Sequence, residues 1–443
     1  MKDSGIEWIG MIPDGWSLIK IKQIADPSVE NSFMDGDWIE SPYIDNQGIR
    51  YYTTGNVGDG EFKAQGSGFI TEDTFDKLNC KLAYPGDLVF SRLNAPYGRS
   101  CILPSESERY VVAVDIVILR PRRHFDKRYI CYVTQCSGYQ DRAFDMARGT
   151  AMKRISRSNL GMIQVPVPND REQCRIADFL DAKCASIDDV IAKTNESIEE
   201  YKKLKQAVIT EAVTKGVRGK RPMKASDIDW IDEIPKDWNT DKLKRILTER
   251  MENNDPVQTS ERLSLSIDTG VTLYAEKTTN LDRFKEDVSQ YKLAHEGDLV
   301  MNSMNVIVGA VGVSNYFGCV SPAYYTYYDH EPDHVTARYM DYVFRTKSLR
   351  ALLYRLGKGI YAIDRGDGKV NTCRLKVSRE DMRSLKLPLP SVKEQREIVQ
   401  YLDKKCAAID TLISKKQQFI DELTAYKKSL IYEYVTGKKE VPA

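Results

Sequence analysis

Two stretches of this chain contain no helix breaker. Neither Pro nor Gly occurs between Asn169 and Lys215 or between Ser391 and Thr436, although the chain holds 27 Gly and 17 Pro. Both stretches can therefore run as long uninterrupted helices. Nor is there a run of about 18 apolar residues, so no helical membrane span is expected. The opening MKDSGIEWIG lacks a secretory signal pattern. The nine cysteines include no Cys-x-x-Cys pair, and the nearest two are Cys131 and Cys136. They read as reduced thiols, and a cytoplasmic setting is expected. The net charge of +1 rules out a broadly basic surface but leaves room for local basic faces balanced by acidic helices.

The marks of an active site are also missing. No Gly-x-x-x-x-Gly-Lys-[Ser/Thr] loop is present. His330 and His334 are separated by Pro332, and no third metal ligand is evident. The carboxylates lie mostly on helix faces and indicate no acid/base pair. Asn94-Ala95-Pro96-Tyr97 brushes against the Asn-Pro-Pro-Tyr signature of adenine-N6 methyltransferases, but no Gly-rich cofactor loop accompanies it. A fused adenine-N6 DNA methyltransferase is kept as an alternative, as is a coiled-coil assembly protein with no DNA role.

What is present is present twice. Pro388, Gln395, Cys406 and Ile431 follow Pro166, Gln173, Cys184 and Ile209 by 222 residues each, with no gap between them. Asn169, Asp170 and Ser391 are candidate N-caps, and Gly216 and Gly437 candidate stops. Steps of four and three give the series Ile187, Ile191, Thr194, Ile198, Tyr201, Lys205, Val208, Ala212. Its copy reads Ile409, Ile413, Lys416, Ile420, Leu423, Lys427, Leu430, Tyr434. This is a coiled-coil seam with polar interruptions, and two such helices in one chain are expected to pack on each other. A run of about 30 helical residues spans roughly 45 Å, on the scale of 13 base pairs.

Trp8, Pro13 and Trp16 recur as Trp230, Pro235 and Trp238 at the same offset of 222. These tryptophans read as packing anchors. Between anchor and helix each copy alternates strand and turn signals, with one helical stretch, 125–144, in the first. Gly86-Asp87-Leu88-Val89 recurs as Gly297-Asp298-Leu299-Val300 at an offset of 211, so the second copy has lost residues upstream and regained them before Pro388. In repeat register Met223 follows Met1, and Ala443 follows Arg221, so the two copies close on themselves.

The fold class is therefore α+β, with two pseudo-symmetric globular domains separated by two long antiparallel coiled-coil helices. The divisions are 1–165 for the first domain, 166–222 for the central helix, 223–387 for the second domain and 388–443 for the last helix. Basic and amide side chains gather at matching loops. The first domain offers Tyr52, Thr54, Asn56, Arg92, Asn94, Tyr97, Arg99, Lys153 and Arg154. The second offers Asn302, Ser303, Asn305, Tyr361, Arg365 and Lys369. Such groups hold phosphates and read base edges. Helix pairing and partner docking are assigned to Ile187, Ile191, Ile198, Tyr201 and Val208 and to Ile409, Ile413, Ile420, Leu423 and Leu430.

Several of these motifs together resemble the specificity (S) subunit of Type I restriction–modification systems. They are Gly5-Ile6-Glu7-Trp8-Ile9-Gly10, Ile12-Pro13-Asp14-Gly15-Trp16, Gly86-Asp87-Leu88-Val89, Pro166-Val167-Pro168 with Glu172-Gln173, and Glu211-Ala212-Val213-Thr214-Lys215-Gly216. Their partners are Ile228-Asp229-Trp230, Ile234-Pro235, Trp238, Gly297-Asp298-Leu299-Val300, Pro388-Leu389-Pro390 with Glu394-Gln395, and Val435-Thr436-Gly437. Asp232 and Asp237 stand where the first copy has glycine. The resemblance covers the whole chain. It implies two target-recognition domains, each reading half of a bipartite duplex DNA site. The helices would act as spacer and as dock for two modification (M) subunits. S-adenosylmethionine, ATP and Mg are then expected on the M and the restriction/motor (R) subunits, with no cofactor and no catalytic residue on this chain.

Overall fold

The computed structural model describes residues 1–66, 68–150, 152–267, 269–277, 287–360 and 374–442. The two breaker-free stretches form its longest elements. The first long helix is Asp170–Lys215, of 46 residues, and the second is Val392–Val435, of 44. At 1.5 Å per residue they measure about 69 and 66 Å, longer than the seam alone suggests. Asn169 Oδ1 accepts the Glu172 amide at 3.0 Å, and Ser391 Oγ accepts the Glu394 amide at 3.4 Å. The side-chain amides of Gln173 and Gln395 donate to the carbonyls of Pro168 and Pro390 at 3.0 and 2.9 Å. Gly216 and Gly437 end the helices in the left-handed region, at φ +77 and +68. At Gly437 a Cβ would also lie 2.4 Å from the Pro13 ring, so this stop doubles as the seat of the first tryptophan anchor.

The chain divides into two units, Met1–Thr194 with Gln417–Ala443, and Asn195–Lys416. Both cuts fall inside a long helix, and Lys416 follows Thr194 by 222 residues. Each unit thus holds one globular domain and a piece of both helices. The division read from the sequence follows helix ends; the contacts instead follow what each domain packs against.

The first unit is built on four strands, β1 Phe33–Asp35, β2 Leu88–Ser91, β3 Ser100–Ile102 and β4 Ile116–Leu119, antiparallel in the order β1-β4-β2-β3. Successive residues alternate between faces. Leu88, Phe90, Val117 and Leu119 enter the main core with the helices, while Val89, Cys101, Ile116 and Ile118 join Tyr52 and Tyr110 in a smaller one. Helices α1 Lys127–Thr134 and α2 Ser137–Met146 cover the main face. The sequence suggests a single helix here, but it breaks at Cys136, whose backbone is extended. Thr134 Oγ1 donates back to the Cys131 carbonyl at 2.9 Å and shares a 2.8 Å hydrogen bond with Ser100, which pins the break to the sheet. Gly138 then admits Trp8, whose Cβ would lie 2.3 Å from any Cβ placed there.

The second unit repeats the plan. Strands β5 Thr248–Glu249, β6 Leu299–Asn302, β7 Val311–Val313 and β8 Tyr324–Tyr328 form a sheet in the order β5-β8-β6-β7, with α3 Val335–Phe344 and α4 Lys347–Leu356 on it. Leu299, Met301, Tyr325 and Tyr327 face the helices.

Within each unit the domain holds the long helices by the same groups. In the first, Arg128 reaches Asp178 and Asp181 at 2.7 and 2.8 Å, and the Tyr132 hydroxyl donates to Asp181 at 2.6 Å. In the second, Arg338 and Tyr342 meet Asp403 at 2.5 and 2.7 Å. Burial and the adjacent carboxylate push both the Tyr132 and Tyr342 hydroxyls well above the usual tyrosine range, so each stays a donor. The hydroxyl of buried Tyr129 is shared between the carbonyl of Pro166 at 2.9 Å and that of Val435, at the end of the second long helix, at 3.0 Å. Buried Tyr339 donates to that of Val213, at the end of the first, at 3.2 Å. Each repeat's domain therefore closes the helix of the other repeat.

Lysines that interrupt the seam follow the same exchange. Lys427 pairs with Asp188 at 2.6 Å in the first unit, and Lys205 with Asp410 at 2.7 Å in the second. Such exposed pairs add little stability, but they fix which residues face each other. Tyr129→Phe and Tyr339→Phe should each cost about 1 kcal/mol, the net value of one hydrogen bond. The loss should show as faster hydrogen exchange in the last turn of the second or the first long helix respectively. Unchanged exchange in both variants would remove the tyrosine clasp from this account.

Candidate nucleic-acid interface

The polar segments of the first domain converge on one buried guanidinium. Strand β2 leaves the sheet at Ser91, makes the 92–99 loop and returns as β3. Arg99, only 8% exposed, donates from Nε to the Val57 carbonyl at 2.6 Å and from Nη2 to that of Thr54 at 2.9 Å. Its Nη1 serves the carbonyls of Leu93, Asn94 and Pro96 at 3.3, 2.9 and 3.2 Å. Five backbone acceptors thus surround the fork, and the three at Nη1 share its two hydrogens. Burial pulls the Arg99 pKa below the usual arginine range.

A second arginine closes the other side. Arg92 donates to the Val114 carbonyl at 2.8 Å and pairs with Asp115 at 3.4 Å and Asp35 at 3.3 Å. Arg154 pairs with Asp115 at 2.9 Å. The Ile155 amide donates to the Arg92 carbonyl at 3.1 Å, and Leu93 bridges to Arg154. Loop 92–99, turn 53–57 and segment 153–155 therefore form one edge.

Several of the candidate residues nevertheless build that edge and do not face outward from it. Arg92 and Arg99 are internal ties. Tyr52 is buried, with its ring 4.8 Å from that of Phe62, edge to face, and 5.1 Å from that of Tyr110. Buried Asn56 accepts the Thr53 amide at 2.9 Å and donates to the carbonyls of Lys63 and Gln65 at 2.9 and 2.6 Å. Tyr97 is buried, 5.9 Å from the Phe144 ring. Asn94, Lys153 and Arg154 are exposed and Thr54 is half-buried. Asn94 holds φ +63, a conformation asparagine tolerates. The methyltransferase alternative fails on the same geometry. The Asn94 and Pro96 carbonyls are committed to Arg99, and the Tyr97 ring that would stack on a base is packed inward.

In the second domain Asn302 is buried and shapes its loop, accepting the amides of Met304 and Asn305 at 3.0 and 3.4 Å. Ser303 is buried, and its carbonyl accepts the Val377 amide at 3.0 Å. Asn305 is exposed. Tyr361, Arg365 and Lys369 lie outside the described residues. The flanking backbone still shows where the two domains differ in length. Arg148 bridges Arg154 in the first domain, and Lys358 pairs with Lys376 in the second. Tyr354 follows Phe144 by 210 residues, whereas Val377 follows Ile155 by 222, so this hairpin is 12 residues longer in the second domain.

The scaffold beneath the loops is matched in kind and not in sequence. The two Gly-Asp-Leu-Val turns each carry a buried carboxylate facing an arginine. Asp87 meets Arg120 at 3.0 Å, and Asp298 meets Arg250 at 2.6 Å. Arg120 follows β4, whereas Arg250 follows β5, the strand equivalent to β1. On the helices, Ile187, Ile198, Ile409, Ile420 and Leu430 are buried, while Ile191, Tyr201, Val208, Ile413 and Leu423 are partly buried. The apolar side chains left outside are others: Val190, Leu204, Tyr401, Leu412, Phe419 and Tyr426. Leu412 and Tyr426 repeat Val190 and Leu204 at 222, a recurrence the sequence carries but a seam count passes over.

Among the described residues no cluster of three or more His, Cys, Asp or Glu side chains could hold a metal, and no helix is long and apolar enough to cross a membrane. His330 Nε2 is engaged instead with Thr248 Oγ1 at 3.0 Å. The eight described cysteines are free thiols.

Duplicated domains that share a scaffold but carry different loops, and whose candidate reactive groups are spent on structure, define a targeting protein. Comparison with known proteins shows what the chain is similar to. Residues 13–200 match the Type I restriction modification DNA specificity domain. The putative type I restriction enzyme MjaX specificity subunit of Methanocaldococcus jannaschii is 22% identical, with 98% of this chain and 96% of the relative covered. The EcoKI specificity subunit of Escherichia coli is 20% identical over 97% of this chain and 90% of its own. A chain from a solved structure described as showing complex assembly and conformational transition of the type I R-M system aligns with TM-score 0.70 at 14% identity, covering 97% of this chain and all of that one. The HsdS subunit from Thermoanaerobacter tengcongensis aligns with TM-score 0.51 at 15% identity over 97% and 98%. The chain is thus similar, over nearly its whole length, to Type I restriction enzyme specificity subunits.

Proposed function

We propose that the two domains read the two halves of a bipartite duplex DNA site, and that partner subunits methylate adenine and cut where this chain directs them. The observation that carries the reading is the pair of exposed polar loops on matched scaffolds. Asn94, Lys153 and Arg154 stand on the first, and Asn305 with the Lys358–Lys376 hairpin neck on the second. Their divergence suits two unlike half-sites, because amide and basic side chains read bases and hold phosphates. Tyr361, Arg365 and Lys369 fall in sequence between Lys358 and Lys376 and are proposed to contribute to the second half.

Exposed Val190, Leu204, Leu412, Phe419 and Tyr426 support docking of two M subunits on the helix pairs, since apolar groups left in water favour a partner. R subunits would join through that assembly, in the cytoplasm, with S-adenosylmethionine, ATP and Mg on the partners. Methylation mapping of a host with and without the gene tests the reading. A bipartite methylated motif should vanish on deletion. Asn94→Ala should then relax one half of it and Asn305→Ala only the other, each by roughly tenfold in methylation rate, the discrimination one base contact supplies. Equal relaxation of both halves by either variant would overturn the two-reader assignment.

A further inference from the structure

The fifth tryptophan is left in water. Trp8, Trp16, Trp230 and Trp238 are buried or half-buried, whereas Trp38 is 67% exposed, the highest value among the described large apolar side chains. No hydrogen bond or ring contact engages its indole among the described residues. The backbone that carries it is nevertheless fixed. The Gly36 amide donates to the Ile116 carbonyl and the Asp37 amide to the Val112 carbonyl, both at 2.9 Å. A Cβ at Gly36 would lie 2.2 Å from the Val112 carbonyl oxygen, so the chain passes this close only with glycine there. The Asp37 carboxylate accepts the Lys81 amide at 2.7 Å and pairs with the Lys81 ammonium at 3.5 Å.

That segment belongs to the polar edge of the first domain. Strand β1 ends at Asp35, opposite Val117, and β2 ends at Ser91, opposite Ile116. Residues 36–38 and the 92–99 loop therefore leave the sheet at the same end. Asp35 pairs with Arg92 at 3.3 Å and with Arg157 at 3.5 Å. Asp37 bridges to Ala113, next to Val114, whose carbonyl takes Arg92. The Ala113 amide donates to the Tyr52 carbonyl at 2.8 Å, where turn 53–57 begins. Trp38 thus shares its edge with Asn94, Lys153 and Arg154.

The edge carries a positive surplus. The side chains of Lys81, Arg154 and Arg157 each meet a carboxylate and still keep 42% of their surface exposed. Arg148 and Lys153 pair with no carboxylate among the described residues. A polyanion with flat ring faces answers both the surplus and the indole. A protein docking through an apolar face would leave the cations without countercharge.

We propose that Trp38 is a direct DNA contact of the first half-site, its indole face packed on a base or sugar of the groove wall and its N–H donating to an acceptor there. The proposal rests on the two-reader function above. An indole face accepts any base, while its N–H is a donor only and needs an acceptor. Nothing repeats the device in the second domain, because residues 250–262, which follow β5, include no aromatic side chain. The effect of Trp38 is therefore confined to the first half.

The test uses the full chain assembled with its M subunits and a duplex bearing the mapped motif. Trp38→Ala should weaken binding at least about tenfold, the scale of one lost stacking contact. The slope of affinity against salt should stay as it is, because no phosphate contact is removed. Preference for the second-half sequence should be unchanged, and so should the melting temperature, since the ring lies in solvent. Trp38→Phe, which keeps a ring face and drops the N–H, should recover part of the loss. Unchanged binding would overturn the contact. So would a shallower salt slope, which would make Trp38 a support for the neighbouring cations, or a loss of M subunits from the assembly, which would make it part of a protein interface. If the unaltered assembly shows no preference for the motif, the two-reader function fails and the contact with it; a normal preference with an unaffected Trp38→Ala removes the contact alone.

Discussion

Arg99→Ala is expected to abolish reading of the first half-site while the second half is read normally. The guanidinium is the only group joining turn 53–57 to loop 92–97 by direct side-chain bonds among those described, through the Thr54, Val57, Leu93, Asn94 and Pro96 carbonyls. Its removal takes the donor from the Val57, Asn94 and Pro96 carbonyls, while those of Leu93 and Thr54 keep the Ser91 hydroxyl and the Val57 amide. One such loss costs on the order of 1–3 kcal/mol, and several together should cost about 3–5 kcal/mol of local stability. Asn94 and Lys153 would then be displayed from a loop without a fixed shape. Methylation should drop at least a hundredfold at the full motif, and the residual modification should follow the second half only. Arg99→Lys should recover little, since an ammonium has three donors and no planar fork. A wild-type methylation pattern for Arg99→Ala would show that loop shape does not govern reading.

Asp298→Ala should destabilise the second unit by about 3 kcal/mol, the lower end of the cost of breaking a buried pair, because Glu252 still meets Arg250 at 2.7 Å. The Asp298 side chain is 2% exposed and holds the Arg250 guanidinium at 2.6 and 2.9 Å, while also accepting the His295 amide at 2.8 Å. Arg250 is itself only 14% exposed and lies 4.8 Å from the Tyr328 ring, so it has little water to turn to. For a domain of this size the melting transition should fall by roughly 10 °C, with the loss in hydrogen-exchange protection centred on β6 and β8. Adding Arg250→Met to Asp298→Leu should restore much of the stability, because a filled apolar site carries no stranded charge. If the double variant melts no higher than Asp298→Ala, the turn needs the carboxylate for its backbone bond to His295 more than for the ion pair.

The long helices were legible in the sequence because each of their determinants is local. Absent breakers, caps at Asn169 and Ser391, stops at Gly216 and Gly437 and the four-three seam all lie within a few residues of the structure they specify. The duplication was legible for the same reason, as an offset of 222 needs no coordinates. The polar edge was legible only as a gathering of segments. Arg92 and Arg99 read as surface cations because nothing near them in the chain shows that the acceptors for Arg99 come partly from Thr54 and Val57, more than 40 residues earlier. Phe144 reads as one apolar position of a helix, and only packing shows that its neighbours Tyr139 and Ala143 go in while it stays out.

The sequence by itself determined two copies, two long helices, the positions where they start and stop, and the absence of a metal or nucleotide motif. Hydrogen-bond periodicity and backbone preferences are properties of short segments, so a string of residues contains them. Tertiary structure decided which polar side chains are structure and which are surface, since burial depends on segments distant in the chain. It also decided that each domain clasps the other repeat's helix, through Tyr129 on Val435 and Tyr339 on Val213. The physical reason is that a helix end leaves carbonyls without partners, and only the folded chain determines which hydroxyl arrives to satisfy them.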